Sequence, residues 1–288
     1  MLVLSVVLLA IVIPGVSAGL VAYRSTRRDP AAPALSVPAM AQSAPRDGVL
    51  DKVTKSPATR EATTGLGLGI AILVVVVGLA VVGVLLIMIH TNTGFAKFDR
   101  GASLFGAHHA TKLSTHVLKI FTQIGGALVV VPLALIVGVV ETMRQRTPAV
   151  FGFLVVVVGG QFLAANLTKS VVGRARPHFD QLTGFSGSSF PSGHAVASAA
   201  CFAAFALVIG RRRSRPVRAV LAGLAIGLAT GIACTRVMLG VHWLTDVLAG
   251  LALGWAWFAL SSIAFGGRRL RFAAPAIDVH RAIEPEGA

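Results

Sequence analysis

Long apolar runs separated by short polar or basic connections set the pattern of this chain. Six runs, at about 66–90, 118–140, 149–168, 193–210, 219–238 and 243–264, are long enough to cross a bilayer, whose hydrocarbon core takes roughly 20 helical residues. Pro132 falls inside the second run, which a membrane helix tolerates better than a soluble one. A further run, 2–23, precedes Arg24-Ser25-Thr26-Arg27-Arg28. The expected fold is all-α: a polytopic membrane helical bundle with six core transmembrane helices and an N-terminal seventh. Residues 1–28 read as an N-terminal anchor, 29–64 as a Pro/Ala/Ser-rich disordered linker, 65–272 as the membrane domain and 273–288 as a flexible tail. Val16-Ser17-Ala18 has the look of a signal-peptidase site, yet no basic residue precedes the apolar part. An uncleaved span with its N-terminus outside is the preferred reading, because cleavage would carry the arginine-rich connections outside too.

Composition agrees with a membrane location: the chain is 55% hydrophobic and 13% charged, with mean hydropathy +0.80. The formal charge of +15 invites a nucleic-acid reading. The basic residues argue against it, since they cluster between apolar runs, as in Arg211-Arg212-Arg213-Ser214-Arg215, and such clusters mark cytoplasmic connections. Segments 141–148, 211–218 and 266–272 are therefore expected in the cytoplasm, and alternation puts 169–192 and 236–243 on the opposite face. Segment 91–117 breaks the charge rule with Lys97, Arg100 and Lys112. Its interleaved Phe95, Phe98, Leu104 and Phe105 suit an interfacial amphipathic helix, and a plain loop fits equally. Cys201 and Cys234 lie inside apolar runs and read as small core residues.

Three strings carry the candidate chemistry. Lys169 and Arg176-Pro177 come first, then Pro191-Ser192-Gly193-His194, then Thr235-Arg236 with His242 and Asp246. Lys169, Arg176 and Arg236 can offset the charge of a phosphate and stabilise its equatorial oxygens during transfer. Pro177 keeps Arg176 off a helix. Ser192 suits a helix N-terminus, and Gly193 lets free N–H groups face an anion. His242 is the candidate nucleophile. Asp246, one helical turn on, can fix its tautomer and stabilise the charge that follows attack. His194 can protonate the leaving oxygen and later help water attack. A metal site of His194, His242 and Asp246 is opposed by the three cations, so neither metal nor cofactor is expected. Alone, each string has a bland reading: an interfacial arginine, a turn with a cap, a helical His–Asp pair. Arg174 fits either a further phosphate contact or substrate steering. His108, His109, His116, Trp243, Trp255 and Trp257 read as interfacial or packing residues.

Taken as a set, these strings resemble the type 2 phosphatidic acid phosphatase superfamily, the lipid phosphate phosphatases related to vanadium haloperoxidases. The family pattern is Lys-x6-Arg-Pro, Pro-Ser-Gly-His and Ser-Arg-x5-His-x3-Asp; here Thr235 stands in place of the serine. The strings cover 169–246, and the span arrangement is similar across about 66–265. The resemblance implies metal-independent hydrolysis of a lipid or polyprenyl phosphate or diphosphate through a phosphohistidine, with catalytic His242, His194 and Asp246 and substrate-binding Lys169, Arg176, Ser192, Gly193 and Arg236. It implies a multi-pass protein of the cell membrane with an extracytoplasmic site, whose partners are the substrate and the bilayer. A lipid phosphotransferase is the nearest alternative. A non-catalytic transporter is disfavoured, because the span interiors are nearly free of charge and the ionisable residues gather at one end.

Overall fold

The computed structural model describes residues 1–27, 57–179 and 181–266. Within them the chain forms helices only: α1 (Leu2–Arg27), α2 (Pro57–Thr91), α3 (Ala96–His108), α4 (Lys112–Gln123), α5 (Ala127–Gln145), α6 (Ala149–Val172), α7 (Gly193–Gly210), α8 (Arg215–Met238) and α9 (Leu244–Gly266). Seven segments, counting α4 and α5 as one, are long and apolar enough to cross a membrane. The all-α membrane architecture is thus as expected, and most span boundaries fall within a few residues of the apolar runs.

α7 sits at the centre, against α5, α6, α8 and α9. In its membrane window 67% of residues are buried, against 11% for α1 and for α2, which are peripheral. Its buried face is built of Ala195, Ala199, Ala200, Cys201 and Ala204. Small side chains let membrane helices approach closely, where van der Waals packing replaces the hydrophobic drive. Gly254 shows the constraint: a Cβ there would lie 2.5 Å from the Val196 carbonyl oxygen on α7. At the periphery, Pro14 inside α1 removes the N–H that would bond Ala10. The freed Ala10 carbonyl lies 2.6 Å from the Thr230 hydroxyl of α8, beside the close Gly15–Gly223 approach that packs α1 on the bundle.

Two expectations change. The run 118–140 is not one continuous helix, because the chain breaks at Ile124–Gly126 between α4 and α5. A Cβ at Gly125 would sit 2.7 Å from Ile232 Cγ2, so only glycine lets the break press against α8. α4 begins earlier than the apolar run, at a Thr111–Ser114 capping box. Segment 91–117 is therefore mostly helical, and its α3 half buries Asp99, Ser103 and Gly106 while Phe95 and Phe98 stay exposed. The second change is at α2, which starts at Pro57, inside the segment expected to be a linker. The rest of that linker, the tail and Arg268, Arg269 and Arg271 lie outside the described residues.

At one end of the bundle, Arg211 donates to Gln145 Oε1 at 3.1 Å and brings the basic α5–α6 and α7–α8 connections together. The α6–α7 connection, the α8–α9 turn and the α4–α5 break meet at the other end.

Candidate active site

His242 stands in the turn between α8 and α9, and Asp246 in the first turn of α9. Their meeting comes from the turn rather than from two positions on one helical face, the geometry their spacing suggested. Both are buried, at 2% and 0% exposure. Nδ1 of His242 lies 3.5 Å from Asp246 Oδ2, a loose contact of the kind that tightens when substrate binds. On the other side of the ring, Arg176 Nη1 lies 3.2 Å from Nε2. A guanidinium can only donate, so Nε2 must carry the lone pair and the ring proton belongs on Nδ1, facing Asp246. Burial, with the charges of Arg176 and Arg236 helping and Asp246 opposing, lowers the His242 pKa from 6.5 to about 4. The ring is neutral at physiological pH.

Arg176 is held by backbone carbonyls: Nε donates to Gly187 O at 3.0 Å, Nη1 to Val241 O at 2.7 Å, and Nη2 to Ser186 O and Ser188 O at 2.8 and 3.2 Å. Pro177 behind it and the carbonyl-rich connection around it fix the fork in one orientation. Lys169, at the end of α6, donates to Ser188 O at 2.8 Å. Arg236, in the last turn of α8, reaches Thr122 Oγ1 at 3.4 Å across the α4–α5 break. His194, in the first turn of α7, lies within electrostatic reach of Arg236, His242, Lys169 and Arg176. Its Nε2 faces Gly126, lying 3.4 Å from where a Cβ would stand there. All eight motif residues therefore come to one end of the bundle.

Ser192 departs from expectation in one respect. It is the N-cap of α7, but its hydroxyl makes no capping bond; Oγ is buried without a partner, as is Arg236 Nε. Its backbone N–H donates to the Asp246 carbonyl at 3.0 Å, joining α7 to α9. A Cβ at Gly193 would meet nothing within 4 Å, so space lies beside the first backbone N–H groups of α7. Those N–H groups have no intrahelical acceptor. Thr235 lies inside α8, and its hydroxyl donates to Ile232 O at 2.6 Å.

The sequence reading missed Asp99 and Ser189 and gave Arg174 and Trp243 other roles. Arg174 is held between two carboxylates. It bonds Asp246 Oδ1 at 2.5 Å and Asp99 Oδ2 at 2.7 Å. Ser189 donates to Asp246 Oδ2, and so does the Trp243 backbone N–H, at 2.9 Å. The Trp243 indole donates to Ala175 O at 2.9 Å, so this residue braces the site. A usable signal was the scarcity of acids, 11 in 288 residues: Asp99 is the sole carboxylate of segment 91–117, amid cations.

Residues 149–269, which hold every motif residue, match the PAP2 superfamily. Phosphatidylglycerophosphatase B of Bacillus subtilis is 30% identical over 62% of this chain and 87% of its own length. The crystal structure of the transmembrane PAP2 type phosphatidylglycerolphosphate phosphatase from Bacillus subtilis superposes with a TM-score of 0.62 at 28% identity, over 69% of this chain and 98% of that one. The chain belongs to the PAP2 superfamily. Lipid A 1-phosphatase of Rhizobium etli is 41% identical over 42% of this chain and 54% of its own length; this chain matches only about half of that relative.

Proposed function

We propose that this protein is an integral-membrane phosphatase that removes phosphate from a lipid or polyprenyl phosphate or diphosphate, through a phosphohistidine at His242, on the extracytoplasmic face. The observation that carries the reading is the placing of His242 between a guanidinium and a carboxylate. Arg176 meets Nε2 and Asp246 faces Nδ1, which leaves a neutral imidazole with its lone pair beside a cation.

The phosphorus of the substrate binds beside Nε2. Arg176 Nη1 then exchanges its contact with the ring for one with a phosphoryl oxygen, while Lys169 and Arg236 neutralise the remaining oxygens. The orphaned donors Ser192 Oγ and Arg236 Nε, and the first N–H groups of α7, suit the same anion. His194 takes up a proton from solvent as the negatively charged phosphate binds beside it. Attack then forms the Nε2–P bond and breaks the bond from phosphorus to the leaving oxygen, which takes that proton from His194. The imidazolium that results keeps its Nδ1 proton towards Asp246. Water then attacks phosphorus, giving a proton to His194; the Nε2–P bond breaks, inorganic phosphate leaves and His242 is again neutral.

The names of the relatives, a lipid A 1-phosphatase and a phosphatidylglycerophosphatase, support a lipid phosphate as the substrate class. Purified protein assayed with phosphatidic acid, phosphatidylglycerol phosphate and polyprenyl phosphates, with chelator present, tests this. Phosphate release from at least one is the expected result, and release only after adding a divalent metal would contradict the mechanism.

A further inference from the structure

A buried ion-pair network outside the three motifs touches the dyad. Asp99, on α3, is 4% exposed. Its Oδ2 pairs with Arg174 Nη2 at 2.7 Å; its two oxygens also accept the Thr245 N–H at 2.8 Å and the Thr245 hydroxyl at 2.7 Å. Thr245 directly precedes Asp246, so Asp99 caps from outside the helix that carries the catalytic carboxylate. Arg174 Nη1 in turn holds Asp246 Oδ1 at 2.5 Å and meets Thr245 Oγ1 at 2.7 Å.

We propose that Asp99 and Arg174 are positioning residues for the reaction, forming with Asp246 a carboxylate–guanidinium–carboxylate relay that aims Asp246 Oδ2 at His242 and sets the charge His242 faces. The charge balance is the core of the argument. Arg174 alone would cancel Asp246 and remove the negative charge needed to stabilise a phosphorylated imidazolium. With Asp99 added, two carboxylates and one guanidinium leave a net charge of −1. Arg174 can then orient Asp246 without neutralising its surroundings. Neither Asp99 nor Arg174 contacts the ring, so both act through Asp246.

Besides Asp246 of α9, which belongs to the relay, the charged groups around His242 are Arg176 of the α6–α7 connection, Arg236 of α8, His194 of α7 and Lys169 of α6. None of these four bonds Asp99 or Arg174, so the relay's charge can be varied while they stay in place. Asp99→Asn takes the relay to zero, Arg174→Gln takes it to −2, and the double variant returns it to −1.

The inference rests on His242 as nucleophile, and turnover by His242→Ala would fell that reading whatever Asp99 does. The test is the pH dependence of kcat/KM for the three variants, on detergent-purified protein normalised to its folded fraction. Asp99→Asn should lower kcat about tenfold, the equivalent of one pKa unit, with KM within about twofold of wild type. Its acid limb should move to lower pH, because less negative charge faces the imidazolium. The acid limb of Arg174→Gln should move to higher pH. The double variant should return the limb towards wild type and turn over faster than Asp99→Asn alone. If Asp99→Asn does not fold, the double variant, which restores the relay's charge of −1, still reads the balance. Limbs that shift in one direction in both single variants, or a double variant whose limb does not return, would overturn the proposal.

Discussion

Arg176 Nη1 lies 3.2 Å from His242 Nε2, while every other donor of that guanidinium is committed to a backbone carbonyl. The contact with the ring is therefore the one that can be exchanged for a phosphoryl oxygen without unmaking the fold of the α6–α7 connection. A lysine would keep a positive charge there but could not fill four carbonyl sites with a planar fork. Arg176→Lys should lower kcat by about a hundredfold or more, the size of losing one preorganised oxyanion donor. Steady-state assays on folded variant check this, and activity within a few-fold of wild type would contradict it.

The position of His242 fixes a pH dependence. Its pKa, lowered by burial from 6.5 to about 4, keeps the free enzyme's nucleophile neutral well below the range of an ordinary histidine. Once the substrate's own second ionisation near pH 6 is taken into account, the acid limb of kcat/KM should lie near pH 4. Linkage has a definite sign. The unfolded chain binds the proton first, so stability declines as pH falls between 6.5 and about 4. An acid limb at the ordinary histidine value would contradict the burial argument.

The motif residues were legible in the sequence because their chemistry is unusual for a membrane chain: cations and histidines at the ends of apolar runs. The spans were legible for the same reason, since length and hydropathy suffice to find them. Asp99 and Arg174 were not legible as partners. Their pairing is set by how α3 folds back over the start of α9, a tertiary contact between residues 75 positions apart that no local spacing encodes. The α4–α5 break also escaped, since an apolar run containing Gly125-Gly126 reads as a continuous span until Ile232 and His194 are placed beside it.

Thr235, the one departure from the family pattern, bonds its own helix through Oγ1. Serine can make the same bond, so Thr235→Ser should leave kcat within about twofold and cost about 1 kcal/mol of stability for the lost buried methyl. Activity and thermal melting of the variant check both halves; a large change in kcat would show that the methyl shapes the site.

Sidedness can be read loop by loop. Ser186 is exposed beside the site, and Ser214 lies in the arginine-rich connection at the other end. Replacing Ser186 retains its carbonyl, the group that accepts Arg176. Cys201 is buried and Cys234 half-buried, both within spans, so background labelling is small. In intact cells a membrane-impermeant thiol reagent should label Ser186→Cys and not Ser214→Cys. Labelling of Ser214→Cys alone would invert the topology.

The central claim, a covalent bond between His242 Nε2 and phosphorus, is tested most directly by trapping it. Protein mixed with a lipid phosphate carrying radiolabelled phosphorus is denatured in alkali within milliseconds, digested and mapped by mass spectrometry. The account predicts label on the peptide containing His242, stable to alkali and lost in acid, and none on His242→Ala. Rapid turnover by the wild type with no label at His242, or turnover by folded His242→Ala, would contradict it.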